Sequence, residues 1–155
     1  MTKSFNYHLN GTGWAEVYFA SDTQYIRFEV SYLSDPLPDL FEGLYRLDNN
    51  KSNEEKIHFA EEPGEHSLVI LRQDRDMIKI EIYWSDEWED VSTKETRCEK
   101  KLVYADTDTI KNIIMVICKG IDRLLERLTV TEYKEKWHMF DFPTDRYRKL
   151  RELLN

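Results

Sequence analysis

The stretch SDEWED, residues 85–90, sets four carboxylates around one tryptophan directly after an isoleucine-rich run. Carboxylates this crowded suit three jobs: ligating a hard cation, general acid–base work, or attracting a basic partner. Cation ligation needs further ligands at fixed spacing. SDEWED has neither the mid-loop glycine nor the distal glutamate of a calcium loop, and no histidine lies within ten residues of it. His8, His58, His66 and His138 show no HxH, HExxH or His–Cys spacing. His66 follows Glu61, Glu62 and Glu65, three oxygen donors beside one nitrogen, and this group reads as an acidic polar turn. No metal and no cofactor is expected.

Covalent chemistry fares no better. No GxSxG or SxxK frames a serine, and the five glycines form neither GxGxxG nor Walker spacing. Cys98 falls in an expected strand and Cys118 in an expected helix. Both read as buried reduced thiols, since free cysteine behaves as a small hydrophobe. The chain is therefore expected not to be an enzyme; a hydrolase using scattered carboxylates or Cys98 is the catalytic alternative.

The distribution of charge says more. The formal net charge is -8, which argues against nonspecific binding to nucleic acid or to anionic membranes. Residues 1–65 hold 12 acids against five bases, so almost all of the excess lies there. A localised acidic surface steers a basic protein toward it, and aromatics among the charges supply anchors. Trp14, Glu16, Tyr18, Tyr25 and Glu29 share one strand face by period-two alternation, and Asp86, Glu87, Trp88 and Glu89 form the second acidic–aromatic group. These nine residues are the candidate partner contacts; the plainer readings are that SDEWED is a hairpin loop whose charge Lys94, Arg97, Lys100 and Lys101 locally offset, and that the acids of residues 1–65 are solubilising charge. The competing reading places Trp14 and Tyr18 in the core, under another element.

The elements that must carry these groups follow from periodicity. GWAEVYFA and TQYIRFEVSY alternate as strands joined by a turn at Ser21-Asp22-Thr23-Gln24. In PLPDLFEGLYRLDNN, the apolar residues Leu37, Leu40, Phe41, Leu44 and Leu47 take helical spacing, with Asn49-Asn50 ending the helix. KIHFA, HSLVILR, MIKIEIYW and RCEKKLVYA are further strands, with Pro63-Gly64 suiting a type II turn and Gln73-Asp74-Arg75-Asp76 a hairpin. A cap at Asp106 or Thr107 would start the longest helix, striped by Ile110, Ile113, Ile114, Ile117, Ile121, Leu124, Leu125 and Leu128. Thr144 would cap a closing helix, DRYRKLRELL.

This order predicts an α+β fold: an antiparallel sheet of about six strands in two layers, with one long and two short helices mainly on one face. Hydrophobic residues at 41% and a length of 155 residues suit one domain, 1–155, with a packed core. The longest apolar run, IIMVIC, is too short to span a bilayer, and the opening MTKSFNYHLNGTGWAEVYF has no apolar signal core. A cytoplasmic location and no membrane association are expected.

Four stretches carry a resemblance across the chain: the Trp/Tyr-rich hairpin GWAEVYFASDTQYIRFEVSYL, the PLPDLFEGLYRL helix, the EEPGEH turn, and KEKWHMFDFPTDRYRKLREL with its late Trp and Phe-Pro. Together they resemble the small acidic immunity proteins encoded beside bacterial polymorphic or contact-dependent toxins. The resemblance implies a non-catalytic protein that binds a cognate toxin domain and blocks it. Many such toxins are nucleases with basic clefts, so the implied partner is a basic toxin domain. No catalytic motif comes with the resemblance, so it assigns no site residue. The alternative is a small-ligand-binding or sensing domain with its pocket between the sheet and the Ile110–Leu128 helix.

Overall fold

The computed structural model describes residues 3–88 and 99–155. Among them the elements run β1 (Ser4–Asn10), β2 (Trp14–Ala20), β3 (Tyr25–Ser31), α1 (Pro36–Asp48), β4 (Glu54–Ala60), β5 (Glu65–Arg72), β6 (Met77–Ser85), β7 (Lys101–Thr109), α2 (Ile110–Arg127), α3 (Val130–Trp137) and α4 (Thr144–Glu152). The α+β class holds, but the expected single sheet is corrected to two antiparallel sheets. They are ordered β1-β2-β3 and β4-β5-β6-β7. Four helices rather than three accompany them.

The split has a local cause. Hairpin-linked neighbours pair throughout, whereas α1 intervenes between β3 and β4. Side chains then occupy backbone donors near where one ladder could meet the other. Glu61 accepts the Glu29 N–H at 3.2 Å, and Ser34 Oγ accepts the Ala60 N–H at 3.0 Å. Pairing demand is met without fusing the sheets.

Both sheets bury one face in a common apolar cluster. Phe5, Tyr7 and Leu9 of β1, Ala15, Val17 and Phe19 of β2, and Phe28 and Val30 of β3 point inward. Ile57, Phe59, Leu68, Ile70, Ile78, Ile80 and Ile82 do so from the second sheet. α1 buries the stripe expected of it, Leu37, Leu40, Phe41, Leu44 and Leu47. It stops at Asp48, and Asn50 takes a positive φ of 59°, a conformation asparagine tolerates. The hairpin turns at Ser21–Gln24 and Gln73–Asp76 stand as expected.

Several boundaries move. β7 runs to Thr109 instead of yielding to a helix at Asp106 or Thr107, because the ladder to β6 continues through Ile78↔Asp108 and Met77↔Thr109. Lys3 Nζ sits 3.0 Å from Asp106 and 2.8 Å from Asp108, holding this acidic strand end extended. The helix cap is Thr109, whose side chain accepts the Asn112 N–H at 3.2 Å. At the other end of the expected strand RCEKKLVYA, Arg97 and Cys98 lie outside the described residues, and the strand itself begins at Lys101. Thr144 opens α4 from inside, with Pro143 in the capping position and no side-chain cap. Glu62–Pro63 is a cis peptide, so the turn has Pro63 in its third position rather than the type II arrangement.

α3 was not expected, nor was β1. Thr129 and Glu132 form a full capping box at the start of α3. Its Tyr133 and Trp137 are fully buried. Trp137 packs edge-on to Tyr7 at 6.4 Å, and Tyr133 to Phe142 at 5.3 Å. α4 is tied to α2 through the Tyr147 hydroxyl, which donates to Asp122 Oδ1 at 2.5 Å and lies 2.9 Å from the Cys118 carbonyl. No described helix is long and apolar enough to cross a membrane.

Candidate interaction surface

The inward face of β2–β3 is fixed by Val17, Phe19, Phe28 and Val30, so alternation turns Trp14, Glu16, Tyr18, Tyr25, Arg27 and Glu29 outward. The register places His8, Glu16 and Glu29 in one row across the three strands. Glu16 and Glu29 are therefore direct cross-strand neighbours of like charge, an arrangement that works against the sheet. The nearest cation, Arg27, reaches Glu16 only at 3.8 Å. Tyr25 is 73% exposed and lies 6.2 Å, ring to ring, from Tyr18. Trp14 and Tyr18 are half-buried, so neither belongs to the core that the competing reading assigned them.

Sequence separates Glu29 from Asp86-Glu87-Trp88 by more than fifty positions; Glu61 joins them. Its carboxylate accepts the Glu29 N–H, and its carbonyl accepts the Trp88 indole N–H at 3.0 Å. The same indole N–H lies 2.6 Å from the Gly64 carbonyl. Burial raises the Glu61 pKa, the Glu29 amide opposes this, and the Glu29 carboxylate adds to it. Gly64 adopts φ +90°, and a Cβ there would stand 2.5 Å from Trp84 and 2.7 Å from the Ser85 carbonyl. Only glycine lets the 61–64 turn lie so close to β6.

A groove of about 510 Å³ opens beside this turn, lined by Leu33, Glu62, Pro63, Gly64, Asp86, Glu87 and Trp88. Trp88 is 50% and Leu33 48% exposed. Asp86 accepts the Trp84 indole N–H at 3.1 Å, and Ser85 Oγ donates to the Glu87 carbonyl at 2.8 Å, which together pin the loop to the end of β6. Glu89, the remaining expected contact, lies outside the described residues. Leu33, Glu61, Glu62 and Pro63 were not among the expected contacts. Only the acidity of the EEPGEH turn pointed toward them.

Part of the acidic excess on α1 and the start of β4 is met internally: Glu42 and Glu55 pair with Arg46, Glu42 also with Arg146, and Asp48 with Lys111. Among the described residues no such pair reaches Glu29, Glu62, Asp86 or Glu87. Among the described residues, Glu29, Glu62, Asp86 and Glu87 thus form one group of acids without an ion pair, along the β3 edge, the 61–64 turn and the end of β6; Asp39, Glu54, Asp74 and Asp76 are further such acids elsewhere.

His66 does not make the turn a metal site. Its ring stacks on Phe28 at 4.1 Å and lies 4.9 Å from Trp84. Burial pushes its pKa down to about 4, so the ring is neutral near pH 7. The 3.8 Å separation from Glu61 is then no ion pair, and Nδ1 has no hydrogen-bond partner. Glu65 turns instead to His58 Nδ1 at 3.1 Å. Among the described residues no group of three or more His, Cys, Asp or Glu side chains is placed to hold a metal ion. Cys118 is buried on α2, and burial raises its thiol pKa to about 11. A thiol held protonated in this way is a poor nucleophile.

No family model matches the chain, and no curated protein or solved structure matches it significantly.

Proposed function

We propose that the protein is a non-catalytic binding protein that captures a basic protein domain, in the manner of an immunity protein neutralising a toxin. One observation carries this reading: among the described residues, Glu29, Glu62, Asp86 and Glu87 lack an ion pair and lie on one aromatic-studded side, beside Glu61 and beside Glu16, which Arg27 approaches only to 3.8 Å. Uncompensated like charge destabilises a sheet, and a basic partner would relieve it while gaining steering from it. The second reading, a ligand pocket between α2 and the sheet, has two grooves in its favour, of about 430 Å³ beside His8, Glu16, Tyr18, Arg123 and Arg127 and of about 310 Å³ beside Lys3, Asp22 and Lys119. Against an enclosed pocket, α2 and β1 approach so closely that a Cβ on Gly120 would stand 2.2 Å from the Phe5 carbonyl oxygen.

The test begins with capture of the partner from the native host and purification of both proteins. Association should be fast at low salt and slow steeply as salt rises, with no turnover of any product. Reversing both charges with Glu16→Lys and Glu29→Lys should weaken affinity by at least tenfold, equivalent to ~1.4 kcal/mol. Unchanged affinity in the folded double variant would refute the proposed face.

A further inference from the structure

We infer that the groove between Leu33, Pro63 and Trp88 receives an arginine side chain of the basic partner. The inference rests on the partner-binding reading above and extends it to a defined contact. Trp88 has one polar atom, its indole N–H, and that atom is already committed to the carbonyls of Glu61 and Gly64. What the half-exposed ring still offers is its π face. Leu33 and Pro63 complete a mainly apolar lining to which Glu62, Asp86 and Glu87 also contribute, Asp86 holding the Trp84 indole N–H with Oδ1. Among the described residues no lysine or arginine lies within ion-pair distance of these three.

A side chain that satisfies such a site must carry an apolar stem, a flat face to stack on indole, and donors for carboxylates. Arginine has all three. Lysine has the stem and the charge but neither the flat face nor the paired donors that engage a carboxylate at two points. A second copy of this chain is opposed by a net charge of -8, and its exposed α4 side chains Arg148 and Lys149 make it the occupant the test must separate from a basic partner. An apolar small molecule would leave the surrounding charge unanswered.

The test is a titration of the folded protein with tetra-arginine and, separately, tetra-lysine at low salt. It is followed by the ¹H–¹⁵N resonance of the Trp88 indole, assigned with Trp88→Phe. The expected result is a saturable shift of that resonance by tetra-arginine, with tetra-lysine weaker by roughly threefold or more. Leu33→Ser and Glu87→Gln should each weaken tetra-arginine binding by roughly threefold, with thermal unfolding unchanged. Tetra-arginine binding that moves resonances near Glu16 and Glu29 but leaves Trp88 still would overturn the groove and leave the acidic-surface reading standing. Equal effects of the two peptides at Trp88 would overturn the choice of arginine. A Trp88 shift that follows protein concentration alone would overturn it in favour of self-association. No binding of either peptide would also overturn the groove; the broader reading is judged separately, by the Glu16/Glu29 reversal against the captured partner.

Discussion

Replacing Asp35 by asparagine should make the protein more stable at neutral pH and should change how stability responds to acid. Asp35 precedes α1, half-buried, and Trp137 donates its indole N–H to Oδ1 at 3.2 Å. Burial raises its pKa from 3.8 to about 6, against the lowering effect of that hydrogen bond. Burial raises the pKa of the nearby Tyr7 and Tyr133 hydroxyls, the Asp35 charge adds to both, and neither hydroxyl has a hydrogen-bond partner. A shift of about 2 units corresponds to about 3 kcal/mol at 1.36 kcal/mol per unit. Solvent reaches this half-buried group, which reduces the figure to about 1–2 kcal/mol.

The sign follows from the raised pKa. Between pH 4 and 6 the folded state holds a proton that the unfolded chain has released, so stability falls as pH rises through this window. Asparagine keeps an oxygen for Trp137 and suits the residue before a helix, but it cannot ionise. Asp35→Asn should therefore match the wild type near pH 4 and exceed it by about 1–2 kcal/mol at pH 7.5. Urea unfolding across pH 4–7.5 measures this, and subtracting wild type from variant cancels other titrating groups. A difference that stays constant with pH, or one that favours the wild type at pH 7.5, would refute the reasoning.

Gly120→Ala should destabilise by roughly 1–3 kcal/mol although alanine is the better helix former, because the new methyl would meet the Phe5 carbonyl and ring at 2.2 and 2.7 Å; thermal unfolding decides it, and a neutral or stabilising result would mean that α2 does not lie against β1 as described. His66→Phe should blunt the loss of stability on the acid side. The native ring must stay neutral, so the wild type loses up to about 3 kcal/mol as pH falls from 6.5 toward 4, and phenylalanine, stacked on Phe28 in its place, has no proton to gain. An acid slope identical to the wild type would place that titration elsewhere.

What could be read from the sequence was periodicity, and it placed the elements whose apolar residues repeat without interruption. α1, α2 and the β2–β3 and β5–β6 hairpins stand where Leu, Ile and alternating aromatics put them. β1 carries the same signal as β2, since SFNYHLN alternates polar and apolar residues strictly and turns Phe5, Tyr7 and Leu9 inward, so its strand was legible in the sequence and went unread. α3 was missed because its eight residues bury only two apolar positions, Tyr133 and Trp137, although Thr129-x-x-Glu132 was a capping-box signal in plain view. The end of β7 misled for a tertiary reason: Asp106, Thr107 and Asp108 are good helix starters, yet pairing with β6 and the two carboxylate contacts of Lys3 hold them extended. Division into two sheets was beyond periodicity altogether, since it depends on which strands meet across α1.

The candidate surface shows a different kind of limit. Alternation assigned the outward face of β2–β3, but nothing local linked Glu29 to Trp88; the link is Glu61, which meets one through its carboxylate and the other through its carbonyl. A glutamate in an acidic turn has no periodicity to announce such a role. Once the link exists, three features stand together that each work against folding alone: Glu16 opposite Glu29, three acids without a described cationic partner around one groove, and Leu33 and Trp88 half in water. Folding has ready means to remove each of them. Cross-strand like charge costs a few tenths of a kcal/mol to about 1, whereas on α1 Glu42 and Asp48 do find cationic partners. Where local rules are broken side by side and kept elsewhere, selection for binding is the economical explanation. What the binding reading adds to net charge is the placement of acids against one another, Glu16 opposite Glu29 and Glu62 beside Asp86 and Glu87, with Leu33 and Trp88 half in water among them.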